Sequence, residues 1–249
     1  MQIEGNVAFV TGANRGLGMA FVDALLAGGA RKVYAAARDV STLPERWADD
    51  ARIVAMPLDI TQLAQQRAAV ALASDTRLLI NNAGVNRLQS ALIDDDLAAA
   101  RAEMDVNYFG TLQLTRCFAP ILRRGAANAE EADRPAIVNM LSILARVTLP
   151  MMTTLCASKA AALRMTEGVR AELAPHGVRV LAVMPGAIDT DMSRDFPPPK
   201  LAVGDVVEAV FSALQGDADE VYIGDMARHI ATQLASDRIA IQRQLASMA

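Results

Sequence analysis

Short runs of β-branched and aliphatic residues alternate along this chain with longer stretches in which apolar side chains recur at helical spacing. The runs at 6–11, 32–37, 52–57, 77–81, 135–141, 178–184 and 220–223 read as strands. Between the first two, Met19, Phe21, Val22, Leu25 and Leu26 supply the buried stripe of a helix. Strand–helix alternation of this kind predicts an α/β fold, a doubly wound parallel seven-stranded sheet with helices on both faces and right-handed crossovers. The polar stretch 125–134 (GAANAEEADR) reads as a surface loop. Residues 186–203 contain Pro197-Pro198-Pro199 and read as an irregular segment covering a site beyond the strand ends. From Gly224 onward a terminal helix is expected, carrying Ile230, Leu234, Ile239 and Leu245 toward the body or another subunit.

Composition narrows the picture. At 249 residues, 53% hydrophobic and 21% charged, the chain can close one large core, so a single domain over 1–249 is expected. The net charge of −4, with no basic run, argues against a nucleic-acid partner and for a small molecule. Cys117 and Cys156 are too few for a disulfide framework, and with only His176 and His229 beside them no metal site is expected. His176 reads as a surface residue between a helix and a strand. A reducing cytoplasm is the default location. The N-terminus lacks the basic and apolar regions of a secretion signal, and no apolar stretch is long enough to cross a membrane.

The chemistry begins at residues 11–18 (TGANRGLG), directly after the first strand and opening the first helix. In that context Gly12, Gly16 and Gly18 let the backbone approach a pyrophosphate and aim it at a helix N-terminus, with Asn14, Arg15 and Leu17 between them. An ordinary strand-to-helix turn would also use glycines. The second strand ends Ala35-Ala36-Ala37-Arg38, where an NAD enzyme would place an acid on the ribose 2′-hydroxyl. Arg38, helped by Arg15, can instead hold a 2′-phosphate, so NADP(H) is expected over NAD(H). Asp39 is the competing feature, because an acid beside Arg38 can be taken for the ribose ligand.

Further motifs follow in order: Asp59-Ile60 after the third strand, Asn81-Asn82-Ala83-Gly84 after the fourth, Asn107 in DVNYFG, Ser142 in NMLSILA, Ala157-Ser158-Lys159, and Pro185-Gly186 with Thr190. Together with the glycine turn, over residues 11–190, they resemble the short-chain dehydrogenase/reductase family. The resemblance implies a Rossmann-like fold, with Asp59 and Ile60 near the adenine and the backbone of Asn82, Ala83 and Gly84 along the cofactor. It places Lys159 on the nicotinamide ribose and Ile188 and Thr190 near the carboxamide, with Pro185 and Gly186 also among the cofactor-binding residues. Asn107, Ser142 and Lys159 are then the catalytic group. A methyltransferase-like α/β fold also uses a glycine-rich first turn, and the ordered Asn107, Ser142 and Lys159 argue against it.

In that family a tyrosine stands four residues before the lysine, one turn away on the same helix face, and exchanges a proton with the substrate oxygen. Here the position is Leu155. Tyr34, Tyr108 and Tyr222, the only tyrosines, lie elsewhere in the sequence. Several readings stand open. The chain reduces an electrophile that needs no proton at the hydride step, such as an iminium carbon; it works slowly on a carbonyl through Ser142, a relayed water or the hydroxyls of Thr153 or Thr154; or it binds cofactor without turnover. An introduced Tyr-to-Leu change in an ordinary ketone reductase is a further reading. Cys156 is expected to face away from the site, since adjacent helix residues point about 100° apart. By analogy Leu144, Met151, Met184 and Met192 join Leu155 in an apolar wall suited to a bulky hydrophobic substrate. The resemblance also implies a homodimer or homotetramer built through the helices at 94–122 and 153–173, where Leu112, Leu114 and Phe118 face either a partner or the sheet.

Overall fold

The computed structural model describes residues 1–92, 96–127 and 129–247. Each expected strand is present, its ends shifted by at most one residue: β1 Val7–Thr11, β2 Lys32–Ala37, β3 Ile53–Pro57, β4 Leu78–Asn81, β5 Ala136–Met140, β6 Arg179–Pro185 and β7 Glu220–Ile223. They form one parallel sheet in the order β3-β2-β1-β4-β5-β6-β7. The order reverses between β1 and β4, so the crevice beyond their C-terminal ends is where an open α/β sheet binds a ligand.

Alternation along each strand distributes side chains to two faces. Ala8 and Val10 of β1 join Val33, Ile80, Val138 and Val183 against α1 (Gly16–Ala27), whose Phe21, Val22 and Leu25 are buried, and against Val206, Val210 and Leu214 of α6 (Val203–Gln215). Val7 and Phe9 meet the other layer, which includes α2 (Leu63–Leu72), α4 (Thr111–Ala126) and α5 (Thr153–Leu173). Phe118 of α4 lies on Phe9, ring centroids 4.9 Å apart. Leu114 and Phe118 are therefore fully buried against the sheet and offer nothing to a partner chain. A side chain of this size contributes about 1.5–3 kcal/mol when removed from water.

Two expectations change. Helix α4 runs on to Ala126, inside the stretch read as a loop. The C-terminal region is two helices, α7 (Asp225–Ser236) and α8 (Arg238–Ala246), not one. Asp237 breaks them apart, accepting from the backbone N–H groups of Ile239 and Ala240 as the N-cap of α8. The break turns Ile239 to solvent, while Ile230, Ile241 and Leu245 are buried. No helix among the described residues is long and apolar enough to cross a membrane.

Candidate active site

The glycine turn and the turn after β4 are locked together by one hydroxyl. Thr11 Oγ1 accepts from the backbone N–H groups of Asn82 and Ala83, both at 2.9 Å, and the Asn82 side chain donates to the carbonyls of Thr11 (2.9 Å) and Gly12 (3.3 Å). Gly16 takes φ +51°, a left-handed conformation that disfavours side chains, and Thr190 lies against it: a Cβ there would stand 3.3 Å from Thr190 Cγ2. The first helix thus opens directly beside the segment that follows β6. Leu17 and Ile60 turn their side chains into the core, so what they present at the strand ends is backbone.

Behind the turn, α3 (Ala98–Met104) runs into a π-helical turn, Asp105–Gly110, that carries Asn107. The Asn107 amide is pinned at both ends. Its Oδ1 accepts from Val85 N–H (2.9 Å), and its Nδ2 donates to Val85 O (3.0 Å) and to Ser158 Oγ (2.9 Å). Lys159, next on α5, donates to Met140 O at 2.9 Å. Gly84 completes the cradle, since a Cβ on it would stand 3.2 Å from Asn107 Oδ1 and 3.6 Å from Lys159 Nζ. Desolvation pulls the Lys159 ammonium down from 10.5 to about 8, partly opposed by the negative charge of Glu103. Glu103, one turn before Asn107, is fully buried; one carboxylate oxygen accepts from Arg87 N–H at 2.7 Å and the other has no hydrogen-bond partner among the described residues.

A lowered lysine pKa costs stability. Below about pH 8 the folded state holds a proton that burial disfavours and the unfolded chain holds freely; the cost fades as the pH rises from 8 to 10.5. Lys159→Met is therefore expected to be more stable than the parent at pH 7 by about 1–3 kcal/mol, less whatever the Met140 bond contributes. Thermal melts at pH 7 and pH 10 check this, the difference shrinking at the higher pH.

Around Arg38 the groups sort themselves. Asp39, the competing acid, caps the short 3-10 turn Val40–Thr42, accepting from Ser41 N–H (2.9 Å) and Ser41 Oγ (2.7 Å), which holds its carboxyl below the usual range. Asn14 reaches across to Thr42 Oγ1 at 3.1 Å. Arg38 is exposed, and no ion pair engages it among the described residues. Arg15 points the other way, its guanidinium 3.5 Å from Asp191 in an exposed pair. Asp59 accepts from the N–H and hydroxyl of Thr61 in a local turn.

At the far end of the cleft Ser142 starts the 3-10 turn Ile143–Ala145 and accepts from Leu144 N–H at 3.2 Å, which leaves its own O–H free to donate. Leu155 is 7% exposed and packs with Met152 and Cys156 beneath Leu144, Leu149 and Phe196. Phe196 comes from the 186–203 segment, which therefore sits on this apolar wall. That segment is tied at its base by Leu201 N–H to Ala187 O (2.8 Å) and Asp189 N–H to Leu201 O (2.9 Å). Met151 and Met192 are half exposed, and Met184 is not in the wall at all: it is completely buried with Leu141, Leu163 and Ala182 under α5, a core residue. The hydroxyls of Thr153 and Thr154 already donate to Pro150 O and Gln89 O. Cys156 is buried in the same apolar cluster as Leu155 and Met152, and burial pushes its thiol up. His176 is on the surface.

Sequence reading missed Thr11, Glu103, Ser158 and Phe196 as parts of this assembly. Ser158 and Thr11 lie inside the Ala157-Ser158-Lys159 and TGANRGLG motifs, where spacing alone gives them no role, and Glu103 is in the sequence one charge on a helix.

The profile of the family described as short chain dehydrogenase matches residues 6–200. The chain belongs to that family. It is 31% identical over 227 residues to an uncharacterised oxidoreductase of Staphylococcus saprophyticus, covering 86% of this chain and 93% of that one. It is 35% identical over 199 residues to a galactitol 2-dehydrogenase (L-tagatose-forming) of Cereibacter sphaeroides, covering 77% and 75%. Among solved structures, a short chain dehydrogenase from Burkholderia cenocepacia in complex with NADP superposes with a TM-score of 0.92 at 56% identity, covering 98% of this chain and 99% of that one. This dehydrogenase chain therefore has the Rossmann-type sheet its pattern predicted.

Proposed function

We propose that this single-domain chain is an NADP(H)-dependent oxidoreductase that moves a hydride to or from a hydrophobic carbonyl/alcohol or imine/amine substrate, with an aliphatic side chain where a proton-donating phenol would stand. The observation that carries the reading is the cradle at Gly84, where Asn107 and Lys159 converge on a position that only a residue without Cβ leaves open. Bound NADP(H) supplies the hydride. The likeness to an NADP-bound short chain dehydrogenase supports that cofactor, as does the chemistry of the donors: Arg38 is free while Asp39 is committed to Ser41. Gly12, Gly16, Gly18 and Asn14 would shape the phosphate turn, Lys159 would hold the ribose, and Ile188 and Thr190, the latter beside Gly16, would lie along the remainder.

Arg38→Ala is expected to lower the preference for NADPH over NADH by about 10–100-fold, the worth of one or two charge-assisted hydrogen bonds. Fluorescence titration with both cofactors checks it, and tighter binding of NADH by the parent protein overturns the cofactor choice.

For the reaction itself, the described residues of the wall around Leu155 offer no free acid: Thr153 and Thr154 are spent, Cys156 is buried, and Ser142 offers one neutral O–H. An iminium carbon, whose nitrogen has already taken its proton from solvent, accepts a hydride to give a neutral amine with no further proton, so this arrangement favours a cyclic imine bound as its iminium ion over a ketone. The same facts fit a protein that binds cofactor and turns over nothing. Following NADPH absorbance with panels of ketones and cyclic imines separates them; imine turnover without ketone turnover supports the reading, and binding with no turnover on either panel supports the second. The proposed assembly is a homodimer or homotetramer through α4 and α5, supported by Phe109, 54% exposed just ahead of α4, and the proposed location is the cytoplasm.

A further inference from the structure

The segment between β5 and α5 carries Ser142 and Leu144 on its site-facing side, and its other side is held by the C-terminal helices. Ile143 and Val147 are buried against Ala227, Ile230, Ile241 and Leu245 of α7 and α8. Arg146 is paired with Glu220 of β7 at 2.5 Å. Thr148 is held at both of its main-chain groups: the Gln242 side chain of α8 accepts from its backbone N–H (3.1 Å) and donates to its backbone carbonyl (3.0 Å). One amide thus satisfies both main-chain groups of a residue with which no strand pairs, as a neighbouring strand would. Leu144 and Leu149 belong at once to this packing and to the cluster around Leu155, so a shift of α8 is passed to the wall of the cleft. Gln242 lies beyond residue 200, where the family profile ends.

We propose that Gln242 is a positioning residue that sets substrate specificity: its amide fixes the 142–149 segment, and with it the distance of Ser142 and Leu144 from the Leu155 wall. The specificity claim rests on the function proposed above; the clamp does not. The full chain is compared with Gln242→Ala and Gln242→Glu, the latter keeping the acceptor for Thr148 N–H but at neutral pH losing the donor. Hydrogen exchange, with and without NADPH, is expected to speed up about tenfold or more across 142–149 in both variants, with β1, α1 and NADPH affinity as in the parent. Between a bulky and a small ketone or imine that the parent turns over, the ratio of kcat/KM is expected to fall about tenfold in both variants, the change carried by KM of the bulky substrate at a kcat within about twofold, because only that substrate reaches the Leu144 and Leu155 wall. Unchanged exchange across 142–149 overturns the clamp. Faster exchange with that ratio unchanged overturns the specificity role alone. A parent protein that binds NADPH and turns over nothing overturns the specificity role together with the proposed reaction, while exchange still decides the clamp.

Discussion

Replacing Leu155 by tyrosine is expected to raise the rate of ketone reduction by about 10²–10⁴-fold, the usual worth of a placed general acid. Residues 155 and 159 are one turn apart on α5, so a phenol at 155 would stand over the Lys159 ammonium, whose charge lowers the phenol pKa toward the working range. Ser142, with its O–H uncommitted, would fix the substrate oxygen. The substitution is not free. Leu155 is already packed beneath Leu144, Leu149 and Phe196, so the larger ring overfills the cluster and is expected to cost about 1–3 kcal/mol of stability. Leu155→Phe separates the two effects, since it adds the bulk without the hydroxyl and is expected to lower the melting temperature while leaving ketone turnover where it was. Steady-state rates for the three proteins decide the matter. Equal ketone rates in the parent and in Leu155→Tyr would show that position 155 does not stand where the proton is needed.

Gly18→Ala is expected to weaken NADPH binding by at least about 100-fold, roughly 3 kcal/mol, and to lower stability with it. A Cβ at this position would lie 2.0 Å from the Gly12 carbonyl oxygen and 2.6 Å from Asn82 Nδ2. Neither neighbour can yield cheaply. The Gly12 carbonyl is backbone, and the Asn82 amide is held by its bonds to the Thr11 and Gly12 carbonyls. The turn must open to admit the methyl group, and the geometry that would meet the phosphates opens with it. Gly204→Ala is the control: its Cβ meets nothing within 4 Å, so stability within about 0.5 kcal/mol of the parent and unchanged affinity are expected. Calorimetric titration of both variants tests the contrast, and parent-like affinity in Gly18→Ala would contradict this account of the turn.

The five inner strands are legible because they are buried on both faces, which leaves continuous apolar runs such as residues 7–10 and 180–184 bounded by turn residues. That same burial hides which face a residue serves. Met184 has the composition of a pocket residue and the position of one at a strand end, yet its side chain falls to the core side. Leu114 and Phe118 were legible as a stripe but not as to what the stripe meets; packing on Phe9 and its neighbours decides it. The two-helix C-terminus carried a readable signal in Asp237, a strong N-cap residue just ahead of Ile239 and Ile241, and a continuous apolar spacing concealed it. Glu103, Phe196 and Gln242 had no local signal at all. Each acquires meaning through a residue distant in the chain: Glu103 through Arg87, Phe196 through Leu155, and Gln242 through Thr148.

The knot of main-chain bonds joining Ala187 and Asp189 to Leu201 closes residues 190–200 into a loop whose two feet stand together on the body of the protein. Lengthening such a loop is cheap, about 0.6 kcal/mol for each doubling, and with both feet anchored an insertion near its tip leaves Thr190 and the sheet undisturbed. Changes of length in this stretch are thus a route by which descendants of the same scaffold can accept differently shaped molecules while the nucleotide end of the crevice stays as it is.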